Sequence, residues 1–312
     1  MNHPGELSPL SSLVAPDVAV VLGVSTVHMH VFQTLDQVAD AKCEIMTGLK
    51  PGAQLIINGE DAVLEAAVKR RAFAKNLKIK KVGWQPGFDS QLLDVQSLGL
   101  EGIRCRILLL GEELEFKCSM PGRHNAFNIA SAALIARSLA PHISGKQLQE
   151  AVSGFIPPRM RLNVRYVAAE RILVDDTYNA NPAAMRALFQ LAAEVRAQGR
   201  VVGLLLGDML ELGDRARLFH REIAAEAAAL RPEFIVAVGD FASEYVQAAK
   251  PYAVKVFEAS SPQAAAHILH KLPFNVLFAK GSRGMALDKA IETLLELEGE
   301  LPPFNQDSFA KL

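Results

Sequence analysis

Beyond residue 156 the sequence falls into a regular rhythm. Short β-branched runs at residues 172–174, 201–206, 234–238, 255–257 and 276–279 alternate with segments whose apolar residues recur at helical spacing. Strands joined by helices of this length pair in parallel, because each helix carries the chain back across the sheet before the next strand begins. The expected architecture of this half is therefore α/β, a doubly wound parallel sheet. In such sheets ligands bind beyond the carboxyl ends of the strands.

The first half is less regular. Residues 17–24 (DVAVVLGV) read as a buried strand, and residues 34–49 as a helix with Leu35, Val38, Ala39, Ile45, Met46 and Leu49 at helical spacing. A strand at 53–57 and a helix near 60–75 follow. Between Lys78 and Met120 the runs KIKKVGW, LLDVQS, RCRILLL and EFKCSM alternate with period two and predict antiparallel strands. Helices are expected from about 124 to 139 and over 145–152. The segment Ile156-Pro157-Pro158-Arg159-Met160 interrupts any helix, which gives domains at 1–157 and 158–300 and a polar tail at 301–312.

Length supports two domains, since 312 residues at roughly 150 per domain give two. Half of the residues are apolar, enough for real cores. With 33 Lys+Arg against 34 Asp+Glu the net charge is −1, so no electrostatic case exists for nucleic acid or an anionic membrane as a partner. No apolar run reaches the roughly 18 residues of a membrane span. The opening MNHPGELSPL has neither the basic nor the apolar region of a signal peptide. Three cysteines (Cys43, Cys105, Cys118) without C-x-x-C spacing argue against structural zinc and disulfides, and for a cytoplasmic setting.

Polar residues gather where the C-terminal strands end. One strand runs into Asp175-Asp176-Thr177-Tyr178-Asn179-Ala180-Asn181-Pro182, with Asn181 placed to cap and Pro182 to open a helix. Others end in Gly207-Asp208-Met209, Gly239-Asp240 and Lys280-Gly281-Ser282-Arg283-Gly284. Any one junction, Gly239-Asp240 above all, reads as an ordinary turn. Four on one edge make a site, and Lys280 and Arg283 beside glycines suit a carboxylate or phosphate. Lys42 interrupts the apolar stripe of its helix, so it either snorkels to water or sits buried as a reactive amine. His28 and His30 are loop residues or metal ligands. Asn125 and Asn128 open a helix on adjacent turns, where they cap it or read the edge of a base. Neither G-x-x-x-x-G-K-[ST] nor G-x-G-x-x-G occurs in these 312 residues.

Taken in order, these pieces resemble the Mur ligases, and within them the D-alanyl-D-alanine-adding branch. The resemblance rests on VDDTYNANP (174–182), LGDMLELG (206–213) and KGSRGM (280–285), supported by NHPGEL (2–7) and ADAKCEI (39–45). It implies a partial central ATPase-type domain followed by a Rossmann-like C-terminal domain. The implied activity is ATP-dependent amide-bond formation between UDP-N-acetylmuramoyl-tripeptide and D-alanyl-D-alanine in peptidoglycan synthesis, with Mg²⁺ beside the phosphates and the protein a monomer. Lys42, as a carbamate, and His28 match the family's catalytic metal-holding residues. Asn125 and Asn128 match its adenine contacts, Arg161 the phosphate-reaching hinge arginine and Asp176 the ribose acid. Tyr178, Asn179, Asn181, Lys280, Ser282 and Arg283 fall where the dipeptide is expected.

The departures are equally specific. The family's UDP-binding first domain, its P-loop and a Mg²⁺-binding Glu are not in these residues, which implies a start upstream of Met1. Ser25-Thr26 replaces a Gly-Pro, His30 an acid and Met160 a Gly. The alternative expectation is a non-catalytic remnant that binds nucleotide or dipeptide. A nicotinamide oxidoreductase would rest on topology alone and is set aside.

Overall fold

The computed structural model describes residues 1, 3–25, 31–72, 76–167 and 171–299, in two compact units, 1–156 and 157–312. In the first unit the elements run α1 (Leu7–Val14), β1 (Val18–Val21), α2 (Leu35–Cys43), β2 (Gln54–Asn58), α3 (Ala62–Ala72), β3 (Lys78–Gly83), β4 (Ser90–Ser97), β5 (Ile103–Leu109), β6 (Glu112–Cys118), α4 (Asn125–Leu139) and α5 (Gly145–Ser153).

The six strands form one sheet in sequence order. β1, β2, β3 and β4 pair in parallel, and only β4–β5–β6 are antiparallel. The expectation that all four runs between Lys78 and Met120 are antiparallel is thus corrected for KIKKVGW. The helix α3 between β2 and β3 reverses the chain and makes that pair a βαβ unit. Leu55 and Ile57 of β2 face α2 and α3, while Ile56 faces α4, so the strand is apolar on both sides. The helix expected over 34–49 ends at Cys43 and tightens into a 3-10 turn, Glu44–Gly48. Residues 73–75 of the next expected helix lie outside the described residues.

In the second unit the elements are β7 (Asn163–Val167), β8 (Arg171–Asp176), α6 (Pro182–Ala197), β9 (Val202–Gly207), α7 (Ala216–Ala229), β10 (Phe234–Val238), α8 (Ala242–Ala249), β11 (Lys255–Ala259), α9 (Pro262–Leu269), β12 (Val276–Lys280) and α10 (Leu287–Glu298). The strand order is β11-β10-β9-β12-β8-β7, parallel except for β7 at one edge. The sequence rhythm does not reveal β7. Its run NVRYV is half-exposed and mixes polar with apolar residues, as an edge strand does.

The insertion of β12 between β8 and β9 fixes where ligands can bind. In register, Lys280 stands opposite both Asp176 and Leu206, so three strand ends that are distant in sequence finish side by side. Helices α6, α7 and α8 pack in succession, while α10, which leaves β12, packs against α9. Chains leaving neighbouring strand ends in different directions open a crevice between them.

Candidate functional site

Each unit carries its own cluster of the residues singled out above. At the carboxyl edge of the second sheet, Lys280 is 3% exposed and spends all three ammonium hydrogens inside the protein. It pairs with the Asp176 carboxylate, donates to the Asn179 carbonyl at 2.9 Å and lies 3.4 Å from the Asp176 carbonyl. The other Asp176 oxygen accepts the Leu162 N–H at 3.2 Å. Lys280 is therefore a strut that shapes the 176–179 turn, with no hydrogen left over for a ligand.

Ser282, also buried, plays a similar part. Its Oγ accepts the Leu210 N–H at 2.9 Å and its own N–H donates to the Asp208 carbonyl at 3.0 Å. The side chain of Asp208 in turn accepts the N–H groups of Asp240 at 2.7 Å and Phe241 at 3.3 Å. Gly239 takes φ +123° there, and a Cβ on it would stand 2.4 Å from the Asp208 carboxyl carbon. All four strand-end junctions are thus tied into one hydrogen-bonded edge. Asn181 caps α6 through the Ala184 N–H at 2.9 Å. The surface of this edge is left to Tyr178, Asn179, Arg161 and Arg283, all exposed; Arg283 is held 2.8 Å from Asp288.

Arg161 lies with its guanidinium 4.1 Å from the centre of the Tyr178 ring, a cation–π contact. Its neighbours Met160 and Leu162 both adopt left-handed backbone, φ +65° and +49°. Met160 thus takes a conformation that glycine enters freely, at a cost of about 1–2 kcal/mol for a residue with a Cβ.

Sequence reading missed His220, the buried partner of the Gly207-Asp208-Met209 turn. Its Nδ1–H donates to the Ala216 carbonyl at 2.8 Å and its Nε2 accepts the Met209 N–H at 2.9 Å, which fixes a neutral tautomer. Burial holds its pKa down, and the ring stacks on Phe241 at 4.1 Å. Burial likewise raises the Asp208 carboxyl. No local pattern signals this contact, because the two residues meet only after α7 packs on the sheet.

In the first unit, Lys42 projects from the last turn of α2 and donates to the Gly23 carbonyl at 2.6 Å, just beyond β1. Its pKa is lowered by burial, opposed by nearby Asp61. Asp61 accepts the N–H of Val24 at 2.7 Å and of Leu64 at 3.0 Å, tying the strand end to α3. Lys42 is half-buried, between the two alternatives its sequence position left open. His28 and His30 lie outside the described residues. The turn over residues 3–7 is anchored by Glu44, a buried carboxylate that accepts from the Gly5 N–H at 2.7 Å and the Leu7 N–H at 3.2 Å.

Asn125 and Asn128 are joined. The Asn125 amide donates to the Pro121 carbonyl at 2.7 Å and accepts from Asn128 Nδ2 at 2.9 Å. Asn125 is buried and Asn128 exposed, so only Asn128 has donor and acceptor capacity to offer a ligand. Among the described residues no cluster of three or more His, Cys, Asp or Glu could hold a metal.

Residues 1–136 match the Mur ligase middle domain, and residues 160–283 the Mur ligase glutamate ligase domain. The chain is 31% identical over 307 residues to the UDP-N-acetylmuramoyl-tripeptide–D-alanyl-D-alanine ligase of Bacillus subtilis, covering 95% of this chain and 63% of that protein. The same-named protein of Treponema pallidum is 30% identical, with 96% and 62% covered. A crystal structure of MurF from Acinetobacter baumannii superposes with a TM-score of 0.81 at 26% identity, covering 95% of this chain and 63% of that one. The chain thus spans somewhat under two thirds of the length of these relatives. Both units match in sequence and the fold matches over 95% of the chain, so the chain belongs to the Mur ligase family, whose middle and glutamate ligase domains it carries.

Proposed function

We propose that these two domains serve a ligase that joins D-alanyl-D-alanine to UDP-N-acetylmuramoyl-tripeptide at the expense of ATP, in the cytoplasm. The carrying observation is the fused strand-end edge of the second unit, where Lys280, Asp176 and Ser282 lock the VDDTYNANP, LGDM and KGSRGM turns together. In the proposed reaction ATP phosphorylates the tripeptide carboxylate. The dipeptide amine then attacks the acyl carbon, and the C–O pair leaves with phosphate.

Asn128 is the base-reading amide in this proposal, and Asn125 the residue that aims it. Asp176 has lone pairs to spare for ribose hydroxyls, and Arg161 reaches toward phosphate. Tyr178, Asn179 and Arg283 face the dipeptide, with Lys280, Ser282 and Asn181 setting the shape of the turns that present them. Lys42 suits a metal-holding carbamate, since burial favours the neutral amine that adds CO₂. With His28 it would hold Mg²⁺, which neutralises phosphate charge.

The test is calorimetry and turnover on the 312-residue chain. Saturable binding of ADP and of D-alanyl-D-alanine is expected, without turnover, because no phosphate-cradling loop occurs in these residues. Failure to bind both would overturn the proposal. Turnover would overturn the expectation that these residues by themselves do not transfer phosphate.

A further inference from the structure

Strand β3 breaks the rule for a sheet covered on both faces. Its residues alternate, so Lys78 and Lys80 share a face with Val82, which belongs to the core beneath α4. The opposite face carries Lys81, bonded to Glu65 of α3, and Ile79, which is left 39% exposed. Two lysines therefore occupy the side a buried strand fills with apolar residues. They line a cleft of about 460 Å³ under the last turn of α4, with Gln54, Leu110, Arg137, Ser138 and Pro141.

The cleft has more positive charge than its own acids neutralise. Lys80 donates to Ser138 Oγ at 3.0 Å, and among the described residues neither Lys78 nor Lys80 has a carboxylate partner. Arg137, only 16% exposed, gives one guanidinium nitrogen to Glu112 at 2.9 Å. Its Nε is buried without a partner, an unmatched donor of the kind that marks a place where an acceptor is missing. The free carbonyls at the end of α4 would account for one cation, not three.

We propose that this cleft binds a small phosphate-bearing anion, free or as a monoester, between Lys78, Lys80 and Ser138, with Arg137 turning its free edge inward. Two ammonium groups and a hydroxyl, with a guanidinium lining the same cleft, are a donor set for a tetrahedral dianion, and Leu110 and Pro141 give an organic group an apolar wall. The cleft lies at the amino ends of β2 and β3, the opposite end of those strands from Asp61, so the proposal does not depend on the function proposed above.

The test titrates inorganic phosphate and, separately, glycerol 3-phosphate into the isotope-labelled chain and follows its backbone amide resonances. Saturable shifts at Gln54, Lys78, Lys80, Arg137 and Ser138 are expected, weakened about tenfold or more in K78Q/K80Q and unchanged in K146Q on α5. Tighter binding of the ester assigns an organic phosphate, and equal binding assigns the free ion. Should the double variant lose its fold, S138A gives the same comparison with the lysines intact. No saturation, shifts confined to the surroundings of Arg161, or equal affinity in K78Q/K80Q would overturn the proposal.

Discussion

The Nε2 of His220 lies 2.9 Å from the backbone nitrogen of Met209 and accepts its hydrogen, so the turn after β9 depends on a histidine that stays neutral. Around that ring stand Asp208, Glu244 and the stacked Phe241, and burial outweighs both acids in setting its pKa low. The unfolded chain takes up this proton first. Stability from the contact is therefore complete above about pH 6.5 and declines as pH falls below it, by up to about 1.4 kcal/mol per unit. Urea midpoints between pH 7.5 and 5 should fall more steeply in the wild type than in H220Q, whose amide oxygen can take the Met209 hydrogen at any pH. Parallel pH profiles would refute the role given to His220.

Asp175 presents the opposite sign. Its carboxyl is buried and its pKa raised, yet a single oxygen takes both bonds from Thr177, the N–H at 3.2 Å and the hydroxyl at 2.6 Å. An asparagine can accept both and brings no charge. We expect D175N to equal or exceed the wild type in stability by about 1 kcal/mol at pH 7. The advantage should shrink as pH falls through the raised carboxyl pKa, where the folded wild type sheds the buried charge, and level off near the unperturbed carboxylate value. Denaturant melts at pH 7 and pH 4 would show it.

The Lys280–Asp176 pair is lopsided, at 3% and 18% side-chain exposure. D176N strands an ammonium with only carbonyls for company and should cost about 3 kcal/mol. K280M strands a carboxylate that still reaches water and keeps the Leu162 N–H, so its cost should be smaller. Equal losses in urea unfolding would mean the turn does not depend on the pair in this way.

For the two asparagines the expected effects divide. N125A leaves the Pro121 carbonyl and the Asn128 amide without their partner and should lower stability by about 1–3 kcal/mol. N128A, at the surface, should leave the melting temperature near that of the wild type while weakening ADP binding about tenfold. Wild-type ADP affinity in N128A would remove Asn128 from the nucleotide site.

Lys42 should add CO₂. In ¹³C-bicarbonate near pH 8, a carbamate carbonyl resonance is expected that is absent from K42R, because burial keeps more of the amine neutral than on a surface lysine. Identical spectra for the two proteins would exclude the adduct.

The strand–helix rhythm of the second half was legible because every central strand is apolar on both faces, as Phe234–Val238 shows. Asn181 and Pro182 announced α6 for local reasons. What stayed hidden was non-local. The direction of β3 is set by α3 rather than by its own alternation, and NVRYV lacks a buried face on which to build a pattern. Lys280, Ser282 and Arg283 came from one stretch of sequence that favoured a ligand-facing role. Only the register with β8 shows that the first two turn inward and the third outward. His220 had no sequence signal, since it reads as one polar residue on an amphipathic helix.

Among the described residues the two strand sets do not exchange a member: β1–β6 draw every partner from residues before 157, and β7–β12 from residues after it. Between them run Gly154, Phe155 and Ile156, all exposed, Phe155 by 45% and Ile156 by 82%. A protease that cuts after aromatic residues therefore meets an accessible bond there whose loss breaks no strand pairing, and exposed connections of this kind are where nicking concentrates. Brief chymotrypsin treatment should part the chain into two fragments of nearly equal length, each still folded on its own sheet.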